Sequence, residues 1–241
     1  MAGGGPVDRE SGLRRSARGD RTERSPVSQA VLSLAFERRS DLILLAIALA
    51  SAASSIAALL LHAVGWVAMP YAISYVTLPG MVLLLCVLVW AKAVNRRLLL
   101  NRLLVGTIGG ALGLFAYDVG RWLIQTLFPL EFDAFLPILS FGSLITGDPV
   151  TSASASLAGW AYHISNGWTF ALVYALIAGP ARWWYGLIWG GMLEVGMLLV
   201  YPILFSQINY PPFLVVSIAG HVLYGSVLGL FCQHHAMRGV P

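Results

Sequence analysis

Residues 102–127 read RLLVGTIGGALGLFAYDVGRWLIQTL, and only Arg102, Asp118 and Arg121 in this stretch carry formal charge. Its hydrophobicity is continuous instead of alternating, and it exceeds the roughly 20 helical residues that a bilayer's hydrocarbon core requires. Lipid offers no water to the backbone amides, so such a segment satisfies them internally, as a helix. Working outward, five further apolar stretches of similar length stand at about 42–62, 70–92, 157–179, 184–206 and 212–232. Six strands would be too few for a transmembrane barrel. The expected fold is therefore all-α: a polytopic membrane protein, a six-transmembrane-helix bundle.

Composition agrees with that reading. The chain has 241 residues, 58% of them hydrophobic and only 11% charged, with a mean hydropathy of +0.76. A soluble protein carries roughly 25% charged residues to cover its surface, so a soluble fold is excluded. The 25 Gly and 12 Pro follow no period, which excludes a collagen-like chain. Cys86 and Cys232 are the two cysteines, too few for a disulfide scaffold or for thiol redox chemistry.

The charge that exists is concentrated at the start. Residues 1–40 hold eight arginines and five acids, with few large apolar side chains, and read as a disordered basic cytoplasmic tail. The transmembrane domain is expected over 41–233 and a short cytoplasmic tail over 234–241. Interleaved acids weaken the phosphate-attracting field of the tail and no aromatics alternate with its arginines, so nucleic acid is not expected as a partner. Membrane lipid is. The tail lacks a signal peptide's order of basic region, apolar run and cleavage site.

Orientation follows from the bases. With the tail inside, Lys92, Arg96, Arg97, Arg102, Arg182 and Arg238 fall on the same side, and Arg121 is the one base left over. The positive-inside rule then places both termini in the cytoplasm. The outer loop at about 128–156 carries Glu131, Asp133 and Asp148. Its stretch from Phe135 to Leu144 is too apolar for a free loop and too short to span, which predicts a short re-entrant or interfacial segment between helices 3 and 4. Glycines four apart recur at Gly109 and Gly113, Gly186 and Gly190, and Gly225 and Gly229, a spacing that lets helices approach closely.

Polar residues at membrane depth carry the functional signal, because an ionisable group at the bilayer centre costs roughly 2.5–3.5 kcal/mol on insertion scales and persists where something compensates it. These are Tyr117, Asp118 and Arg121 on the third apolar stretch, His163 and Asn166 on the fourth, Glu194 on the fifth, and His221 and Tyr224 on the sixth. Counting from helix ends places them in one layer, from the outer half of the bilayer to its middle, and a shared pocket explains the coincidence. Glu194 and Asp118 are the candidate catalytic acids or bases. Arg121, His163, Asn166, His221, Tyr224 and Tyr117 are the candidate substrate-binding residues. Asp118 and Arg121 stand i,i+3 and can neutralise each other; Glu194 has no base on its own helix and needs a partner from another, Arg121, His163 or His221. Two histidines with two carboxylates would suit zinc or non-haem iron. No helix shows a paired ligand spacing such as His-x-x-x-His, however, so no metal ligand is assigned, the cofactor stays open, and a hydrogen-bonded or proton-handling histidine is favoured.

The last third carries a resemblance. Tyr162-His163 with Asn166, Phe170 and Tyr174, then Trp189-Gly190, Glu194, Tyr201-Pro202, Pro211-Pro212 and Gly220-His221-Val-Leu-Tyr224-Gly225 resemble uncharacterised multi-pass inner-membrane proteins of the YagU-like type. The resemblance covers about 157–232, implies a histidine-bearing last helix and supplies no reaction. Three functions stay open: binding or transport of a small molecule, proton or lipid; an integral-membrane enzyme acting on a lipid or isoprenoid; and a non-catalytic subunit of a membrane complex. The breaks at Pro79-Gly80 and Tyr201-Pro202 suit helices that bend around a cavity.

Overall fold

The computed structural model describes residues 39–128, 130, 132–205 and 211–238, together with Met1 and Gly3. The expected disorder of residues 1–40 falls almost wholly outside the described residues, as do Pro129 and Glu131 of the loop after the third apolar stretch. Among the described residues every regular element is helical: α1 (Arg39–Ala52), α2 (Ser54–Ala63), α3 (Met69–Ala93), α4 (Arg97–Leu127), α5 (Leu136–Thr146), α6 (Ala153–Ala178), α7 (Trp184–Leu204) and α8 (Pro211–His235).

By length and composition α3, α4, α7 and α8 can each cross a membrane, and α1 with α2 makes a fifth crossing if the pair, bent by 46°, is counted as one. These are the helices of an integral membrane protein. The sixth expected span corresponds to α6, whose 26 residues are long enough but include Ser154, Ser156, His163, Ser165 and Asn166, which lower its apolar character. The short segment expected between the third and fourth spans is α5, an apolar helix of 11 residues that packs along α6.

Close helix approach follows from where the glycines fall. On α7, a side chain at Gly186 or Gly190 would strike the α8 backbone at Gly225, Gly229 and His221; conversely Gly225 and Gly229 admit the backbone at Gly186 of α7 and at Trp183 just before it. Two glycine pairs four residues apart thus interlock main chain against main chain, as small residues do in lipid. Gly142 of α5 and Gly159 of α6 allow a similar crossing. Helix α4 lies centrally: Gly106 and Gly110 meet Leu172, Ala175 and Ala171 of α6, while Gly109 and Gly113 meet Leu228, Phe231 and Tyr224 of α8. The cores follow this order. Leu44, Leu84, Leu99, Leu103, Leu172 and Leu176 join α1, α3, α4 and α6, and Val105, Tyr174, Tyr224 and Leu228 join α4, α6 and α8.

Two breaks shape one side of the bundle. The α1–α2 bend falls at Ala53, and α3 contains a wide turn at Ile73–Thr77 just before Pro79. Proline removes a backbone donor and crowds the preceding turn, and a wide turn absorbs that insult without ending the helix.

One boundary differs from expectation in an informative way. The third apolar stretch was expected to begin at Arg102, with that residue in the inner loop. The helix instead starts at Arg97, and Arg102 is fully buried, donating from Nη1 to the Leu176 carbonyl at 3.0 Å. Leu176 is in the last turn of α6, where carbonyls lack helical partners and the helix dipole favours a cation. Gly179, with φ of +53°, ends that helix and leaves the space its side chain would fill to the Arg102 guanidinium.

Candidate functional site

A cavity of about 370 Å³ lies between α2, α4, α6, α7 and α8. Its wall is largely apolar, built from Ile56, Leu59 and Leu60 of α2, Leu114 of α4, Phe170 of α6, and Met192, Leu193, Met197 and Val200 of α7. Polar groups enter from four helices: Tyr117 on α4, His163 and Asn166 on α6, Trp189 and Tyr201 on α7, and His221 and Tyr224 on α8. Small residues make the room. Gly196 lines the cavity, and a Cβ added there would meet no atom within 4 Å.

Five of the eight sequence-derived candidates therefore reach the cavity wall, and three do not. Asp118, Arg121 and Glu194 stand behind it, each tied to a residue in front or to another member of the group. His163 Nε2 contacts both carboxylate oxygens of Asp118, at 3.0 and 3.1 Å. His221 Nδ1 lies 2.6 Å from Glu194 Oε2 and 3.1 Å from the Ser217 carbonyl oxygen. The Ser217 hydroxyl donates to the same Glu194 oxygen at 2.8 Å. Both histidine nitrogens that face acceptors must carry hydrogen, so in the neutral rings the opposite nitrogens, His163 Nδ1 and His221 Nε2, hold lone pairs.

The expected intrahelical pairing of Asp118 with Arg121 is present but secondary. Their closest approach is 3.8 Å, against 3.0 Å for Asp118 with His163. Arg121 is buried, and its guanidinium carbon lies 5.0 Å from the ring centres of both Tyr117 and Phe135, a cation–π arrangement that compensates charge without water. Glu194 finds the cross-helix base it required, and that base is His221. The two histidines are not in ring contact with each other. Tyr117 stands between them, its ring centre 5.8 Å from that of His163 and 5.0 Å from that of His221.

Two other candidates are held by hydrogen bonds at the wall. Asn166 Oδ1 accepts from the Ser55 hydroxyl at 2.9 Å, which leaves its amide N–H groups for the cavity. The Tyr224 hydroxyl donates to the Gly167 carbonyl at 2.6 Å. Ser217 was missed by sequence reading although it lies one turn before His221 on α8, a spacing that puts both on one face. The apolar wall from α2 and α7 was also missed, since nothing marks one leucine among many as cavity-lining. Among the described residues no three His, Cys, Asp or Glu side chains converge where a metal ion could sit.

The fold and this site define a class: a helical integral membrane protein with two carboxylate-backed histidines at the edge of an apolar cavity. The chain belongs to a family of unknown function, DUF6789, whose model matches residues 100–239. The match runs from α4 through α8, so it includes the third apolar stretch, for which the sequence resemblance had offered no counterpart. No curated protein and no solved structure matches the chain.

Proposed function

We propose that this protein is a six-span inner-membrane protein that holds a small, largely apolar molecule or lipid in the cavity between α2, α4, α6, α7 and α8. The observation that carries the reading is the cavity itself, about 370 Å³ of mainly apolar wall with His163, Asn166 and His221 reaching into it. Small-molecule sites in proteins have this build: concave, mostly apolar, with a few placed polar groups. Glu194 and Asp118 orient the two histidines from behind, and Tyr117 and Tyr224 shape the wall. In this reading α6 is the sixth span and its polar face turns inward, α5 is the re-entrant or interfacial piece, and the excess of bases on one side keeps both termini in the cytoplasm. Kinship with YagU-like inner-membrane proteins is part of the same proposal.

Native mass spectrometry of the detergent-purified full chain tests it. A molecule that co-purifies with wild type should be lost from Gly196→Leu, which adds a bulky side chain at the cavity wall where a Cβ meets no atom within 4 Å, while the variant keeps or raises its melting temperature because leucine is the better helix former. A bound species retained by Gly196→Leu refutes the cavity as its site. A second reading, an enzyme acting on a lipid or isoprenoid, draws support from the 2.6 Å Glu194–His221 contact, because a histidine oriented by a carboxylate is a general base in the making. Chemical conversion of the co-purifying molecule, abolished by His221→Gln, would favour it.

A further inference from the structure

Resting on the reading of the cavity as a ligand site, we infer that its ligand is an uncharged apolar molecule with a hydroxyl head. Three observations lead there. First, the formally charged side chains near the cavity, Asp118, Arg121 and Glu194, are absent from its wall, and each is already engaged, with His163, with Asp118 and the aromatic rings, and with His221 and Ser217. An anionic head would find no cation to meet. With both histidines neutral the three charges sum to one negative, from two carboxylates and one guanidinium, which disfavours an anion further. A cationic head would meet no carboxylate oxygen on the wall.

Second, the histidines present acceptors. His163 and His221, both on the cavity wall, each turn one ring nitrogen to a carboxylate, so in the neutral ring the second nitrogen, Nδ1 of His163 and Nε2 of His221, is a lone pair that takes a donor from the ligand. Neither has a hydrogen-bond partner among the described residues. Third, Asn166 presents the opposite polarity. Its carbonyl oxygen is taken by Ser55, so its amide hydrogens need an acceptor, and it stands one turn from His163 on the same face of α6. A hydroxyl is the smallest head that donates to an imidazole lone pair and accepts from an amide through one atom. A ketone, ester or ether accepts only, and leaves the imidazole unmatched. The remaining wall, with Leu59, Phe170, Met192 and Leu193, suits an aliphatic or prenyl chain.

The test is a ligand series on one tail. Tritiated farnesol is bound to the full chain in nanodiscs, with discs carrying Gly196→Leu as the blank for partition into lipid. Unlabelled farnesol, farnesyl acetate, farnesyl phosphate and farnesyltrimethylammonium then compete. Farnesol is expected to displace the label about tenfold more effectively than the other three, the scale of one well-formed neutral hydrogen bond. Equal competition by the acetate would show that no donor is needed, and stronger competition by the phosphate or the ammonium compound would show a charged head; either overturns the hydroxyl assignment and leaves the cavity reading intact. No Gly196-sensitive farnesol binding also overturns the assignment. The cavity reading then fails only if native mass spectrometry finds no species that Gly196→Leu loses. None of these outcomes depends on a variant of His221 or Asn166 folding.

Discussion

The pair formed by Glu194 and His221 allows the sharpest stability prediction. Their side chains are 8% and 13% exposed, so solvent screens the interaction little. Glu194 Oε2 accepts from His221 at 2.6 Å and from Ser217 at 2.8 Å, while Oε1 is buried without a partner among the described residues. Glu194→Leu removes the shared acceptor. His221 keeps the Ser217 carbonyl at 3.1 Å and the Ser217 hydroxyl keeps Met197 Sδ at 3.4 Å, both weaker, so the two stranded donors together cost about 2–4 kcal/mol at the 1–3 kcal/mol typical of one buried unsatisfied group. Glu194→Gln retains one oxygen for the same donors but loses its charge and places an amide where Oε1 had no partner. Bonds to a charged group exceed neutral ones by about 1 kcal/mol each, so this variant should lose roughly 1–2 kcal/mol. Detergent-solubilised protein titrated to unfolding would rank wild type above Gln above Leu. The double variant Glu194→Leu/His221→Phe should recover at least half of the leucine loss, because replacing a buried polar pair together is far cheaper than breaking it. If Glu194→Leu is as stable as wild type, or if the two single losses simply add in the double variant, the carboxylate is not held by His221 as the structure shows.

Two further outcomes follow from packing and topology. Gly225→Leu should force α8 off the α7 backbone at Gly186 and cost about 1–3 kcal/mol or more, seen as a lower melting temperature or lost expression, whereas Gly191→Leu, with nothing within 4 Å of the added carbon, should be neutral; equal effects at both positions would defeat the interlock. Single cysteines introduced at Asn95 and at Asp148 should label from opposite sides, Asn95 from the cytoplasm and Asp148 from outside, and the reverse pattern would refute the proposed orientation.

Helix positions were legible because lipid leaves one means of hiding a backbone, and each of the six apolar stretches became a helix or a bent helix pair. The bend at Ala53 was not, since Ser51, Ala52, Ala53, Ser54 and Ser55 contain no proline or glycine to announce it. Arg102 misled for a physical reason: an arginine usually marks a membrane edge, and only the end of α6 arriving beside it made burial affordable. Partners were the least legible feature. These helices are apolar on nearly every side, so no hydrophobic face reveals how each is rotated, and whether Glu194 meets Arg121, His163 or His221 depends on rotation. What could be read was the inventory of polar types; which of them line the cavity and which stand behind could not.

That division has its own logic. A carboxylate on an apolar cavity wall would have to be neutralised by each ligand that enters, and the cost of an unpaired charge in such surroundings far exceeds what a hydrogen bond returns. Set one layer back, Asp118 and Glu194 keep permanent partners, and the hydrogen bonds they accept fix how the imidazoles are oriented at the wall, in the way a carboxylate orients a ligand histidine at other sites. Tyr117 adds a constraint, because its ring touches both imidazoles and its own α4 neighbours Asp118 and Arg121 bind the same cluster. A ligand that moves His221 therefore presses on Tyr117, and through it on His163 and Asp118. The two dyads should respond to occupancy together, so a probe bound beside His221 would perturb the ring signals of His163 in a histidine-labelled NMR spectrum, and Tyr117→Ala should uncouple them.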